Sequence, residues 1–194
     1  MSGSEIDQVF SDNFEDAKSF LEIARKCHKR GEERFSAAFA KASLLAAFSS
    51  FEAFLHSISS DFIDSNNKQL SVHDRGFLME LEVSLNSEGA FYITKKSKFG
   101  RVEDRILFLY RRLSGKRFDT TKKFWSVFRD SSILRNQVAH PKSNTVVSIS
   151  ILENALSAIL ETMNYISQGI FKKPLPLASY GLTAKIDLST AFVD

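Results

Sequence analysis

The chain has 194 residues, of which 43% are hydrophobic, with eight Gly and three Pro. This content suffices for one well-buried domain, and so few Gly and Pro favour long helices over a β-sandwich. The single cysteine, Cys27, excludes an internal disulfide framework and suits a reducing cytosol, so a cytoplasmic location is predicted. Residues 1–20 lack a continuous apolar run, and no run of about 18 apolar residues occurs in the chain, so neither a signal peptide nor a contact with a membrane is expected.

The net charge of +3 is unevenly distributed along the chain. Residues 1–94 carry a net charge of −6, whereas residues 95–135 carry +9 and hold 13 of the 26 basic side chains. Residues 136–194 are balanced. Because neutralisation of phosphates supplies most of the non-specific affinity for nucleic acids, this concentration favours polyanion binding. The alternative is that the basic segment is only a solvated face.

Apolar spacing predicts an all-α bundle of five to six long helices and a C-terminal tail. The predicted helices cover residues 4–30, 32–64, 72–85, 101–114, 120–139 and 146–171. Residues 90–100 are expected to form an ordered loop, because the strand propensity around 91–94 has no visible partner strand. Residues 1–171 therefore form one bundle domain. Residues 172–194, with two prolines and no helical period, form a non-helical, extended tail that either packs across the bundle or meets a partner.

The second predicted helix carries a nearly ideal apolar stripe with one carboxylate at its edge. The stripe consists of Leu44, Phe48, Phe51, Leu55, Ile58 and Phe62. Glu52 lies at the border of this sector, where a carboxylate is half-buried and needs a partner. The alternative is a solvated Glu at a helix border. His56, one turn later, is interpreted as a polar-face residue rather than a ligand.

The helix over 120–139 places a cation where a core would have an apolar side chain. At about 100° per residue, Arg135 lies about 20° from Phe128, in the middle of the apolar sector. A guanidinium cannot be neutralised in a protein, and burying one without a partner is costly. We therefore predict that Glu52 pairs with Arg135. His140 precedes Pro141, which ends the helix, so the imidazole is expected at a terminus that faces a cleft.

The segment from Arg135 to His140 has the form R-N-x-x-x-H and resembles the signature of the HEPN superfamily. The segment FSSFEAFL, which contains Glu52, resembles the second helix of stand-alone bacterial HEPN families, where an acidic residue points toward the active-site region. The resemblance implies a HEPN-like bundle acting as a metal-independent endoribonuclease. Arg135 and His140 would be catalytic, Asn136 would orient the His or bind phosphate, and Glu52 would support Arg135.

The same resemblance implies partners and a biological setting. HEPN enzymes place two motifs together across a homodimer interface to form one composite active site, and they leave a 2′,3′-cyclic phosphate on RNA. A toxin or antiphage-defence effector, working with an antitoxin or another defence-system protein, is the expected role. One HEPN toxin family has a Tyr two residues after the His that its partner modifies. Lys142 stands at that position here, so this modification is not expected.

Four basic side chains near the motif are predicted to bind RNA: Lys122, Lys123, Arg129 and Lys142. No metal site and no cofactor is predicted, because the four His are scattered and the sequence has no HExxH, Walker A, GxGxxG or GxSxG motif. Two alternatives to the enzyme stay open. One is a non-catalytic HEPN-like dimeric binding or scaffold module that works with a partner protein. The other is a plain bundle in which Arg135 is a structural ion pair and His140 a helix cap.

Overall fold

In the computed structural model, which describes residues 3–66, 69–141 and 145–183, the chain forms a helical bundle with one small sheet. The elements in chain order are α1 (Gly3–Lys29), α2 (Glu33–Asn66), α3 (Val72–Leu78), β1 (Leu81–Leu85), β2 (Phe91–Ser97), α4 (Val102–Ser114), α5 (Lys123–Ala139), α6 (Ile149–Phe171) and a 3₁₀-helix (Pro176–Tyr180). The predicted helical bundle, with six α-helices within these residues, is confirmed.

Helices α1 and α2 pack antiparallel along a seam of buried serines. Three serine hydroxyls on α2 each donate a hydrogen bond to a backbone carbonyl of α1. The donor–acceptor pairs are Ser36 with Ala24 (3.0 Å), Ser43 with Ala17 (2.6 Å) and Ser50 with Phe10 (2.6 Å). Donors and acceptors both recur every seven residues, which is two helical turns, so they stay on one face of each helix. The small side chains allow the two backbones to approach closely, and the carbonyls satisfy the buried hydroxyls.

The core at the centre of the bundle fixes α5 against α2. The Phe128 ring of α5 is fully buried and lies 4.8 Å from the ring of Phe51 and 5.8 Å from that of Phe48, measured between centroids. Helix α6 contributes a continuous buried stripe of apolar side chains: Leu152, Leu156, Ile159, Met163 and Ile166. The faces of α2 and α5 that flank this core are therefore held in a fixed relationship.

The structure contains a β-hairpin where the sequence predicted the end of a helix and a loop. The third helix was expected to span 72–85, but α3 ends at Leu78 and β1 follows. Residues 90–100 were expected to form a loop without a partner strand, but β2 pairs antiparallel with β1. Both predictions are wrong, because the apolar alternation in β1 spans only five residues, and Leu81 and Leu85 also continue the helical spacing from Leu78.

The backbone between α3 and β1 explains why the helix stops. Glu80 adopts a left-handed conformation with φ of 54°, which ends the helical path and turns the chain. The strand then folds back over α3, where Val83 packs against Gly76 so closely that a Cβ on that glycine would lie 2.3 Å from a Val83 methyl group. The absence of a side chain at Gly76 is what allows the hairpin to lie on α3.

The described part of the tail packs across the bundle. Two of its leucine side chains are buried, Leu175 and Leu177. The ammonium of Lys18, which is fully buried in α1, donates to the carbonyl of Thr183 at 2.9 Å. The tail is not wholly extended as predicted, since it contains the 3₁₀-helix, and residues 184–194 lie outside the described residues.

Helix α2 is also the one helix among the described residues that is long and apolar enough to cross a membrane by length and composition, over Glu33–Ser65. Half of its most apolar stretch is buried inside the bundle, as expected of a central core helix. The expectation of no membrane contact stays a prediction.

Candidate active site

A groove of about 1290 Å³ runs between α2, α5 and the start of α4, and four of the eight predicted site residues line it: Glu52, Arg129, Arg135 and Asn136. From α2 it is lined by Phe48, Glu52 and His56. From α5 it is lined by residues that include Arg129, Ser132, Arg135 and Asn136. The packing of Phe128 between α2 and α5 thus brings together charged groups that are more than 80 residues apart in the sequence.

Arg135 is held from three sides at the wall of this groove. Its Nη2 forms an ion pair with Oε1 of Glu52, so the pairing predicted from helical spacing is confirmed. Its Nη1 donates to Oδ1 of Asn136 at 3.0 Å, and its Cζ lies 5.6 Å from the centroid of the Phe48 ring. Such contacts hold the long side chain in one orientation.

The guanidinium nevertheless reaches solvent. The exposed fraction of the Arg135 side chain is 27%, and that of Glu52 is 45%. Partial burial lowers the pKa of Arg135 below its ordinary value, and an arginine stays charged at neutral pH. A guanidinium has five N–H donors, so a group held in this way can still offer donors to an anion in the groove.

His140 lies apart from the other motif residues. It is the exposed C-cap of α5, with φ of −128°, and its backbone N–H donates to the carbonyl of Asn136 at 2.9 Å. It is not among the residues that line the groove. Five residues after Arg135, at about 100° each, place it about 140° around the helix axis. His140 lies at the helix terminus as predicted, and in the single chain it does not line the groove that contains Arg135.

His56 is a groove residue that the sequence interpretation did not select. It follows Glu52 by one turn of α2, is exposed and lines the same groove as Arg135. The i, i+4 spacing from Glu52 was the available signal, because it places both side chains on one face of the helix.

The opposite wall is anchored by a second Arg–Glu pair. Arg105 of α4 is 5% exposed, and its Nη1 lies 3.0 Å from Oε1 of Glu80. Its Nε has no hydrogen-bond partner within the part of the chain that the structure describes. Because Glu80 is the residue that turns the chain into the hairpin, this pair attaches the base of the hairpin to α4.

The predicted RNA-binding side chains are spread along α5 rather than clustered. Lys122 is the N-cap and lies 3.7 Å from the carboxylate of Asp119, and the exposed Lys123 is the first residue of the helix. Arg129 is exposed and lines the groove. Lys142 lies outside the described residues. Of the three that the structure describes, Arg129 is the one that lies in the same groove as Arg135.

Within the described ranges, no three His, Cys, Asp or Glu side chains are grouped as they would be in a metal site. Comparison of the chain with protein-family models, curated proteins and solved structures finds no match. The resemblance to HEPN proteins therefore stays a prediction that rests on the R-N-x-x-x-H motif, its position at the end of α5 and the FSSFEAFL segment.

Proposed function

We propose that this protein is a HEPN-type, metal-independent endoribonuclease. The observation that carries the proposal is the state of Arg135, which is fixed by Glu52, Phe48 and Asn136 and yet opens into a groove. An arginine sealed in a core ion pair would have no donor in reach of a ligand, whereas 27% of the Arg135 side chain is exposed. A held, partly exposed guanidinium suits recognition of a phosphate that gains negative charge during reaction.

The proposed reaction uses the nucleophile that RNA itself carries. The 2′-oxygen attacks the adjacent phosphorus, the bond from phosphorus to the 5′-oxygen breaks, and a 2′,3′-cyclic phosphate and a 5′-hydroxyl result. A base takes the proton from the 2′-hydroxyl, and an acid gives one to the leaving 5′-oxygen. Arg135 donates to the phosphate oxygens, while Asn136 orients the neighbouring groups. An imidazole titrates near neutrality and can perform either proton transfer.

The reaction needs two proton transfers, and each chain supplies one imidazole from its motif. A homodimer would bring two such imidazoles together. We propose that His140, which lies outside the groove of its own chain, acts in a composite site formed with the motif of a second copy. His56 is the competing candidate, because it lies in the groove beside Glu52 of the same chain. Comparing His140→Ala with His56→Ala identifies which imidazole takes part.

A second candidate function is a non-catalytic HEPN-like dimeric module that binds RNA or a partner protein. The separation of His140 from Arg135 favours it, since the two catalytic groups of one chain do not share a groove.

An active enzyme would act as a toxin or antiphage-defence effector in the cytoplasm, with an antitoxin or defence-system protein as its partner.

The decisive experiment is RNA cleavage by the purified protein with EDTA present. We expect cleavage by wild type, a 2′,3′-cyclic phosphate on the product, and no cleavage of DNA of the same sequence. Arg135→Ala and His140→Ala should each abolish cleavage. Arg34→Ala, which removes an exposed arginine of α2 outside the groove lining, is the matched control and should leave the rate unchanged. Binding without cleavage by wild type would support the non-catalytic module.

A further inference from the structure

Phe99 is the most exposed large apolar side chain in the described part of the chain, with 79% of its surface accessible. It lies in the connector between β2 and α4, and it lines the groove that holds Arg135. One exposed aromatic ring is ordinary on a protein surface. The surroundings of this ring are what indicate a role.

The connector that carries Phe99 is anchored on both sides. The backbone N–H of Lys98 donates to the carbonyl of Glu80 at 2.7 Å, and the carboxylate of Glu80 pairs with the buried Arg105. Gly100 lies against the ring of Phe77, so closely that a Cβ there would be 3.5 Å from it. The aromatic ring is therefore presented at the rim by a backbone that is held in place.

The segment around this ring is strongly basic. Residues 95–101 contain four exposed basic side chains and no acidic one, and the basic residues are Lys95, Lys96, Lys98 and Arg101. Arg101 is the one of them that lines the groove, where Glu103 and Asp104 follow it, so the three lysines lie beside the groove. The half-exposed ring of Tyr92 lies shortly before this segment, on β2. Aromatic rings interleaved with cations are the chemistry that binds a single strand of nucleic acid, because the rings stack on bases and the cations neutralise phosphates.

We propose that Phe99 is a stacking platform for an unpaired nucleobase of RNA bound in the groove, with the basic residues of 95–101 holding the adjacent phosphates. The inference rests on the proposed function, since it assigns the position of the substrate strand at the same groove. The Phe99 ring would bind single-stranded RNA rather than a duplex, because bases in a duplex are already stacked and paired, and their faces do not reach a side chain.

A second copy of the chain is the competing occupant of this surface. A two-stranded sheet has unpaired edges, and an exposed aromatic ring could pack against its counterpart. The charge argues for RNA instead, since two copies would bring the same cations of 95–101 together, whereas a phosphate backbone complements them.

The test measures binding of the full-length protein to a 12-nucleotide 2′-O-methyl RNA, which lacks the attacking hydroxyl and cannot be cleaved. We expect Phe99→Leu, which keeps apolar volume but removes the ring, to weaken binding by about 5-fold to about 150-fold. Phe99→Tyr, which keeps the ring, should bind as wild type does. Phe35→Leu is the matched control, because that ring is 61% exposed on α2 outside the groove lining, and it should change nothing.

The salt dependence separates stacking from charge. Phe99→Leu should leave the slope of log affinity against log salt unchanged, whereas Lys95→Gln with Lys96→Gln and Lys98→Gln should flatten it. The same oligonucleotide annealed to its complement should bind without dependence on Phe99. Equal affinities of wild type and Phe99→Leu for the single strand would overturn the proposal, as would a failure of wild type to bind it at low salt.

The outcomes also separate this proposal from the proposed function. If Phe99→Leu loses affinity for the uncleavable strand while wild type does not cleave ordinary RNA, the platform stands and the nuclease assignment fails. If wild type and Phe99→Leu cleave and bind equally well, the nuclease stands and the platform fails. If Phe99→Leu turns a dimer into a monomer in light scattering with unchanged affinity, the surface belongs to a second copy and the proposal is wrong.

Discussion

Glu52 of α2 and Arg135 of α5 form an ion pair at the wall of the groove, and both side chains stay in contact with solvent. If the pair were fully buried, removing one partner would lower the free energy of unfolding by several kcal/mol, because the other charge would be left unpaired in a dry core. A solvated pair is screened and contributes about 1 kcal/mol or less. The pair therefore stabilises the orientation of the guanidinium more than it stabilises the fold.

The first prediction separates catalysis from stability at this pair. Arg135→Ala should abolish RNA cleavage and lower the free energy of unfolding by about 1 kcal/mol or less, because Glu52 is left in reach of water. Urea unfolding and cleavage are measured on the same preparation. The double variant Glu52→Gln with Arg135→Met is the reference, and it should be close to wild type in stability and inactive. Cleavage by Arg135→Ala at the wild-type rate would remove this motif from the mechanism.

Much of the fold was predictable because it depends on local periodicity. Most of the helices were placed within a few residues, and the pairing of Glu52 with Arg135 followed from the angular positions of the two residues on their helices. The hairpin was not predictable in the same way. The alternation in β1 is short, and the features that decide it are tertiary, namely the left-handed Glu80 and the contact of Val83 with Gly76.

The site was predictable only in part for a related reason. Angular counting places residues on helices well, so Glu52, Arg135 and Asn136 were found together. Angular counting does not show which loop lies at the rim of a groove, so the position of Phe99 in the groove lining was not predicted. His140 follows the last turn of α5, where the helical rule stops, and the position of its side chain depends on what lies beyond the helix.

The second prediction concerns assembly. If the composite site is correct, the protein is a homodimer in light scattering, and its specific activity falls on dilution below the dissociation constant of the dimer. His140→Ala should remain dimeric and inactive. A monomer with constant specific activity over the dilution series would contradict the composite site, and loss of cleavage in His56→Ala would then assign the second imidazole to the same chain.

The third prediction concerns the basic side chains of α5. The triple variant Lys122→Gln, Lys123→Gln and Arg129→Gln should weaken RNA binding. It should also reduce the salt slope by about 0.7 for each phosphate of a single strand that the protein no longer neutralises. Most of the effect should come from Arg129, which lines the groove, whereas Lys122 already has Asp119 nearby. Binding is measured by fluorescence anisotropy at several salt concentrations.

The control for this experiment is Lys29→Gln, which removes an exposed cation at the C-terminal end of α1 outside the groove lining. It lowers the net charge without changing the groove. An unchanged slope in the triple variant, or an equal change in Lys29→Gln, would show that the basic residues of α5 are only a solvated face.

The fourth prediction is an alkaline loss of stability. Burial, with a hydrogen bond to Tyr165, raises the pKa of Tyr110 to about 12. The folded state therefore favours the neutral phenol, so this contribution is complete below about pH 10 and is lost as the pH rises through about 12. Urea unfolding of wild type and Tyr110→Phe is compared between pH 8 and 11. Wild type should lose more stability than the variant above pH 10.

Tyr92→Phe serves as the control here, because it removes a phenol that is 48% exposed on the hairpin. It should lose stability with pH in parallel with wild type. If the free energy of unfolding of Tyr110→Phe falls with pH as steeply as that of wild type over the whole range, ionisation of Tyr110 is not the cause of the alkaline loss of stability.

The fifth prediction tests the serine seam between α1 and α2. Ser43 is fully buried, and its hydroxyl donates to the carbonyl of Ala17 at 2.6 Å. Ser43→Ala removes one hydrogen bond and should cost about 1 kcal/mol, because a helical carbonyl keeps its partner within the helix. Ser43→Leu forces a large side chain between two close backbones and should cost about 1–3 kcal/mol or more. Ser49→Leu places the same side chain on the exposed face of α2 and should change stability by about 0.5 kcal/mol at most. Urea unfolding measures all three, and a Ser43→Leu protein as stable as Ser49→Leu would mean that small side chains are not required at the seam.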